Sequence, residues 1–406
     1  MNPNFQRLMS EAAQMTRSGQ LLAATQAIQR ALRGNADEAA APAGDERLHE
    51  LRPTARDNHS IVLDGLVRVI DEATAKASPW SKANVGNWAD AERTGAGTSP
   101  VEPAADSAPT PVHDPALERW SDGSFTHGGR SVAYKLYVPP LTAGRTAAPR
   151  PLVLMLHGCT QNPADFAAGT RMNALAREQG FVVLYPAQTQ RGNAQRCWNW
   201  FKTQHQQRGR GEPALLAALT QSIMARENID PARVYVAGLS AGGAMADILG
   251  RCYPELFAAV GVHSGLPAGA ASNLPSALAA MQGGPATGRA AAQGTGAAPP
   301  VIVFHGDADA TVHPRNGAAL VSAAQDNTGS AAPRVSEGRS AQGQGFTRSE
   351  YLAGDSSVAA EHWRLHGAGH AWSGGSTQGS FTDPRGCDAS AEMLRFFLAH
   401  PKKTQG

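Results

Sequence analysis

The stretch VYVAGLSAGGAMA, residues 234–246, sets a serine between glycines where a β-forming run gives way to small residues and Met that suit a helix. Gly238-Leu239-Ser240-Ala241-Gly242 fits the pattern G-x-S-x-G. The chemistry served by that pattern is nucleophilic. A hydroxyl lifted onto a sharp strand-to-helix turn sits in a strained backbone conformation. Small neighbours let the chain pass closely, and the helix N-terminus aims free N–H groups at a reacting oxygen. Gly and Ser are common, so the pentapeptide says little alone. The β-run before it and the helix after it make the reading specific, against the alternative of a glycine-rich turn with an incidental serine. Ser240 is the candidate nucleophile.

A serine nucleophile needs a base, and the base needs an orienting carboxylate. Downstream, FHGDADATV (304–312) ends a buried apolar run and offers Asp307 and Asp309. An acid a few residues past a strand end folds back over the sheet edge, which favours Asp309 and leaves Asp307 to brace the turn. LHGAGHAWSGG (365–375) then places His370 in a glycine-rich loop, where small neighbours give the imidazole room between hydroxyl and acid. His366 lies nearer the strand and reads as packed or solvated. His157 and His305 each precede a glycine at a strand end, where a hydrogen-bonded structural role is expected. An oxyanion needs two preorganised N–H donors. One is expected from Ala241, after the nucleophile, and the other from LHGCTQN (156–162), where Cys159 would give its main-chain N–H rather than its thiol. A nucleophilic Cys159 is the rival reading, and the complete serine set weighs against it.

These residues need elements to carry them. Apolar runs at 131–139, 152–158, 181–186, 234–240, 258–265, 301–309 and 359–367 read as strands. Helical stretches fall between them at 163–180, 212–229, 241–253 and near 315–325, with a last helix at 388–400. Strands alternating with helices predict a mostly parallel sheet covered on both faces. Residues 268–299, rich in Gly and Ala, read as a surface insertion with one short helix. Upstream, apolar residues at helical spacing predict one or two helices over 4–33 and another over 61–77. The expected organisation is a helical N-terminal region (1–90), a flexible Pro/Ala/Ser/Thr-rich linker (91–117) and an α/β catalytic domain (118–402).

A chain of 406 residues is long enough for a full-sized core. The net charge of +2 gives no electrostatic case for nucleic acid. No apolar run is long enough to predict a membrane span. The N-terminus shows no basic segment followed by an apolar one, so the cytoplasm is the expected compartment. Cys159, Cys197, Cys252 and Cys387 match no metal-ligand spacing. No metal or cofactor is expected, and four reduced thiols are the plain reading.

Taken in order, LHGCTQ, RCWNWF, GLSAGGAMA, AVGVHSG, FHGDAD and GAGHAWSGG resemble the polyhydroxybutyrate (PHB) depolymerase family of esterases, within the α/β-hydrolases, over about residues 120–400. Feruloyl and acetylxylan esterases share much of this pattern. The resemblance implies an α/β-hydrolase fold, with Ser240 as nucleophile, Asp309 as acid, His370 as base, and Cys159 and Ala241 as oxyanion donors. It implies hydrolysis of short-chain hydroxyalkanoate esters, polymer or oligomer, through an acyl-enzyme. It also implies that Trp198, Trp200 and Trp372 lie at the mouth of the site as substrate-binding rings, with core packing as the alternative. Secreted members carry a signal peptide and a polymer-binding domain; this sequence shows neither, and has the N-terminal helical segment instead. In secreted relatives, cysteines at the positions of Cys159 and Cys197 could pair. Such a bridge conflicts with a reducing cytoplasm and would favour an extracellular location. Cys252 and Cys387 are expected to be free. Other readings are a feruloyl or acetylxylan type of carboxylesterase and a serine peptidase on the same fold. From a different class comes a protein that docks on polyester granules through its N-terminal helices.

Overall fold

A computed structural model describes residues 117–141, 148–283, 298–325 and 332–402. The helices expected over 4–33 and 61–77, and nearly all of the expected linker, lie outside the described residues. Among the described residues the chain forms one large sheet with helices on both faces.

The parallel centre of the sheet runs β4 (Val182–Ala187), β3 (Arg150–Leu156), β5 (Ile229–Leu239), β6 (Ala259–His263), β7 (Val301–Gly306) and β10 (Val358–Leu365). Its strands are continuous apolar runs because both faces are covered; β3, β4 and β7 are buried almost throughout. Both edges are antiparallel. On one side β1 (Arg119–His127) and β2 (Arg130–Val138) form a hairpin that pairs with β4. On the other, β9 (Gly345–Leu352) and β8 (Arg334–Arg339) extend the sheet beyond β10. These added edge strands are polar and half exposed, so their apolar patterning is weak, and the sequence reading passes over β1, β8 and β9.

Helices α3 (Gly211–Arg226), α4 (Ala241–Cys252) and α6 (Arg315–Gln325) bury Leu216, Leu219, Ile223, Met245, Leu249 and Leu320 against one face. The other face is covered by α1 (Pro163–Thr170), α2 (Met172–Gln179) and α7 (Ala389–Ala399), through Phe166, Met172, Phe396 and Phe397. The single helix expected over 163–180 is thus two. Arg171 takes a left-handed φ of 56° at the break, with its N–H bonded to Ala167 O. Gly169 O there accepts the Ser376 N–H at 2.8 Å, which ties the break to the loop after the last long strand. The short helix expected in the Gly/Ala-rich insertion is α5 (Leu274–Met281). No helix among the described residues is long and apolar enough to cross a membrane.

The C-terminal ends of β3, β5, β6, β7 and β10 lie in that order along one edge. Each of the chemically interesting loops leaves from one of them, where ligands bind in open α/β sheets.

Candidate active site

β5 ends at Leu239 and α4 begins at Ala241, so Ser240 alone makes the turn. Its φ of 58° and ψ of −120° lie in a region that L-residues rarely adopt. Serine is a preferred helix cap, yet Ser240 makes no capping bond with its side chain. Its N–H is tied to His263 O at 2.9 Å and its C=O accepts the Ala244 N–H at 2.9 Å. The backbone is therefore held from both sides while Oγ is left for other work. The flanking glycines are steric necessities. A Cβ on Gly242 would stand 2.0 Å from Leu156 O, and one on Gly238 would stand 2.3 Å from the Gly242 carbonyl carbon.

Asp309 and His370 meet across two loops. His370 Nδ1 donates to Asp309 Oδ2 at 2.8 Å. Asp309 Oδ1 accepts the N–H groups of Thr311 and Val312 at 2.9 and 2.8 Å. Burial opposes ionisation of Asp309, but the His370 hydrogen bond and charge, the Val312 N–H and nearby His305 together outweigh it and hold the carboxyl below its ordinary range. With Nδ1 committed to the acid, Nε2 is the ring nitrogen that remains for a substrate or nucleophile. Ser240 and His370 line the same cleft, of about 180 Å³, whose apolar walls come from Leu239, Leu278, Met281 and Phe381.

Asp307 has a different partner. It accepts from His366 Nδ1 at 3.0 Å and from the Gly367 N–H at 2.7 Å, and His366 Nε2 meets Thr347 Oγ1 at 2.9 Å. This is a second hydroxyl–imidazole–carboxylate chain. Thr347 is buried in the middle of β9, with no strand-to-helix turn to lift it and no helix N-terminus behind it. Spacing in sequence does not separate the two Asp–His pairs; their hydroxyls do.

The loop after β3 reaches the cleft through Gly158, Cys159, Thr160 and Gln161. Gln161 Oε1 takes the Gly158 N–H at 2.9 Å, while Gln161 Nε2 donates to Ser380 O and to Asp165 Oδ2, both at 3.0 Å. The Gly158 N–H is thereby spent, and the Cys159 N–H has no hydrogen-bond partner among the described residues. Cys159 lines the cleft together with Ser240. Ala241 follows Ser240 as the first residue of α4, where its N–H has no intrahelical acceptor.

Cys159 and Cys197 form a disulfide, which corrects the plain reading of four reduced thiols; Cys252 and Cys387 are free. The bridge ties the β3 loop to the segment carrying RCWNWF, reinforced by Thr160 N–H to Gln195 O at 2.7 Å. That segment is anchored below by buried Glu212, which accepts from Asn199 N and Nδ2 and from Gln188 Nε2 at 2.8, 2.6 and 2.6 Å.

The three tryptophans expected at the mouth of the site are in the core. Trp198, Trp200 and Trp372 are 2%, 5% and 1% exposed, and none lines the cleft. Their indole N–H groups explain part of the difference. Trp198 Nε1 donates to His157 O at 3.1 Å, beneath the β3 loop, and Trp372 Nε1 donates to Ser390 Oγ at 3.0 Å, beneath the His370 loop. Two of the rings therefore brace the loops that carry the site. His157 and His305 are hydrogen-bonded and buried. His157 Nε2 accepts the Gln188 N–H at 3.1 Å, and burial pushes its pKa down to about 4. His305 Nε2 donates to Val312 O at 2.8 Å, behind the Asp309 turn.

The sequence reading did not single out Gln161, Phe381, Leu278 or Met281. Leu278 and Met281 stand in the Gly/Ala-rich insertion, where a short apolar helix was legible but its position over the cleft was not.

A family model described as "Esterase PHB depolymerase" matches residues 132–350, just over half of the chain. Poly(3-hydroxyalkanoate) depolymerase C of Paucimonas lemoignei is 34% identical over 230 residues, 54% of this chain and 54% of that protein. Feruloyl esterase B of Neurospora crassa is 32% identical over 194 residues, 44% of this chain and 64% of that protein. The chain thus spans about half to two thirds of the length of these curated relatives. An acetyl xylan esterase structure from Aspergillus awamori superimposes with a TM-score of 0.54 at 20% identity, covering 69% of this chain and 99% of that one, which speaks for the fold.

Proposed function

The chain belongs to the PHB depolymerase family of esterases, and we propose that it is a serine hydrolase of carboxylic esters, acting on short-chain hydroxyalkanoate esters through an acyl-enzyme. One observation carries the reading: a serine on a strained strand-to-helix turn shares its cleft with a histidine whose far nitrogen is held by a buried carboxylate. In this reading Ser240 Oγ attacks the ester carbonyl while His370 Nε2 takes its proton. Asp309 stabilises the imidazolium, and the N–H groups of Cys159 and Ala241 hold the oxyanion. His370 then returns the proton to the leaving alcohol. Water, activated by the same ring, attacks the acyl-enzyme, forming the acid and restoring Ser240. The apolar walls from Leu278, Met281 and Phe381 suit a small aliphatic acyl or alkyl group.

A second reading, an esterase of aryl or acetyl esters, draws on the similarity to feruloyl esterase B and on the ring of Phe381 in the cleft wall. The Cys159–Cys197 bridge favours an oxidising compartment over the cytoplasm. The test measures 3-hydroxybutyrate release from amorphous PHB granules beside hydrolysis of a soluble butyrate ester and a feruloyl ester, with Ser240→Ala as blank. Release from granules and the butyrate ester, absent in the blank, is expected. Feruloyl hydrolysis with no release from granules would move the substrate to the second reading. Turnover by Ser240→Ala would overturn the mechanism.

A further inference from the structure

We propose that His263, which touches no substrate, is a positioning residue that sets the base against the nucleophile; this rests on the reading of Ser240 and His370 given above. His263 closes β6, paired in register with Leu239 at the end of β5. Its main chain and its ring hold different halves of the site. The His263 carbonyl accepts the Ser240 N–H at 2.9 Å and so fixes the turn that carries the nucleophile. The ring Nε2 accepts the Ser373 N–H at 3.0 Å, on the far side of the His370 loop.

The rest of that loop shows why this bond matters. At its near end, Ala308 N–H bonds Ala368 O at 3.1 Å, which joins the His370 loop to the Asp309 turn. Past His370, Trp372 N–H bonds Phe381 O at 2.7 Å and Gly374 N–H bonds Asp383 O at 2.8 Å; both partners lie in the segment around β12 (Thr382–Asp383), which pairs with β11 (Trp372–Ser373). These anchors join the loop to the acid and to a peripheral strand. The His263 ring joins it to the strand end that also holds Ser240.

The ring has little freedom of its own. It is fully buried and stacks against Phe304 at 5.8 Å and Trp372 at 5.2 Å, with interplanar angles of 12° and 26°. Because Nε2 accepts, the hydrogen is on Nδ1, which faces Ser264 Oγ at 3.2 Å. Ser264 is itself fixed by a left-handed φ of 48° and by its N–H bond to Phe304 O at 2.8 Å. The ring thus has a defined tautomer, a defined plane and a single acceptor, aimed at one backbone N–H. A leucine would fill much of the volume and accept nothing. A glutamine puts an acceptor near the place of Nε2.

The test compares His263→Leu, His263→Gln and Ser264→Ala with the unaltered protein and with Ser240→Ala, using kcat and KM on a soluble butyrate ester and thermal unfolding. A base displaced by about an ångström costs on the order of a hundredfold in rate. His263→Leu is expected to lose about that much in kcat with KM within about twofold, because no wall of the cleft is changed. His263→Gln is expected to recover at least about tenfold of the loss. Ser264→Ala, which leaves the buried Nδ1–H without its acceptor while keeping the ring, is expected to lower kcat several-fold. A kcat for His263→Leu within about twofold of normal, or a Gln variant no better than Leu, would overturn the proposal. Should the Leu variant fail to fold, an unchanged kcat in Ser264→Ala overturns it instead. Activity in Ser240→Ala would remove the underlying reading and the proposal together. An inactive Ser240→Ala beside a normal His263→Leu sinks the positioning role alone.

Discussion

Replacing Cys159 and Cys197 together by alanine tests the fold and the chemistry of the cleft at once. The bridge closes a loop with a sequence separation of 38 residues. In the chain-entropy treatment, closing a loop of that length removes about 13 cal/mol/K from the unfolded chain, or about 4 kcal/mol at 25 °C. The native loops keep other ties, since Thr160 N–H still bonds Gln195 O and Trp198 Nε1 still bonds His157 O. Relaxation of the folded state is therefore confined to the segment around Cys159, and the loss is expected to approach the full figure, within the range of about 2–5 kcal/mol found when native bridges are removed. Urea unfolding should show a lower midpoint. Under denaturing, non-reducing conditions the unaltered protein should titrate two thiols, those of Cys252 and Cys387. Activity should fall too, because the Cys159 N–H borders the cleft and the bridge holds it there. Removing one oxyanion donor costs on the order of 10²–10³ in rate, so loosening it should cost about tenfold in kcat. Four titratable thiols and an unmoved urea midpoint would refute the bridge. A lost bridge with full kcat would refute the oxyanion role of the loop and leave the stability argument standing.

The two Asp–His pairs should behave unlike each other. Asp309→Asn is expected to lower kcat by on the order of 10³–10⁴, because an amide does not hold the imidazole in its working tautomer or stabilise its charge. Asp307→Asn, on the exposed pair with His366, should change kcat by less than about threefold; steady-state kinetics on one soluble ester decides between them. Asp309 also predicts a pH dependence. Its folded pKa is lowered, so its contribution to stability is present above the unfolded value of about 4 and is lost as pH falls through the folded value. The stability gap between the unaltered protein and Asp309→Asn should be level from about pH 8 to pH 5 and shrink below about pH 4, as read by urea unfolding at each pH. Gly242→Ala should cost at least about 3 kcal/mol or prevent folding, since its Cβ would meet the Leu156 carbonyl oxygen at 2.0 Å and backbone cannot yield cheaply; a normal unfolding midpoint would contradict the close approach.

What the sequence reveals of this site, and what it hides, follows from where each residue's information lies. Ser240 is legible because its constraint is local: a β-run, two glycines that admit a backbone crossing, and a helix start are all contiguous in the chain. The parallel centre of the sheet is legible for a related reason, since strands buried on both faces read as unbroken apolar runs. The polar edge strands β1, β8 and β9 carry no such mark. Asp309 and His370 are 61 residues apart and Asp307 and His366 are 59, so spacing does not tell the pairs apart, and the position past the strand end and the glycine-rich loop only favour the first. What separates the pairs is burial and the identity of the nearby hydroxyl, both products of tertiary packing. The tryptophans show the same limit from the other side. A large ring near a catalytic motif suits a substrate wall or a buried brace equally well by type. The indole N–H bonds to His157 O and Ser390 Oγ assign two of them to bracing, and neither acceptor could be named from the sequence. His263 is the sharpest case. It sits in the quoted segment AVGVHSG, yet nothing local marks it, because its main chain serves one loop and its ring serves another 110 residues away. Residues whose purpose is to join loops distant in sequence are those that sequence patterns reveal least, and they are where substitution should separate placement of the base from binding of the ester.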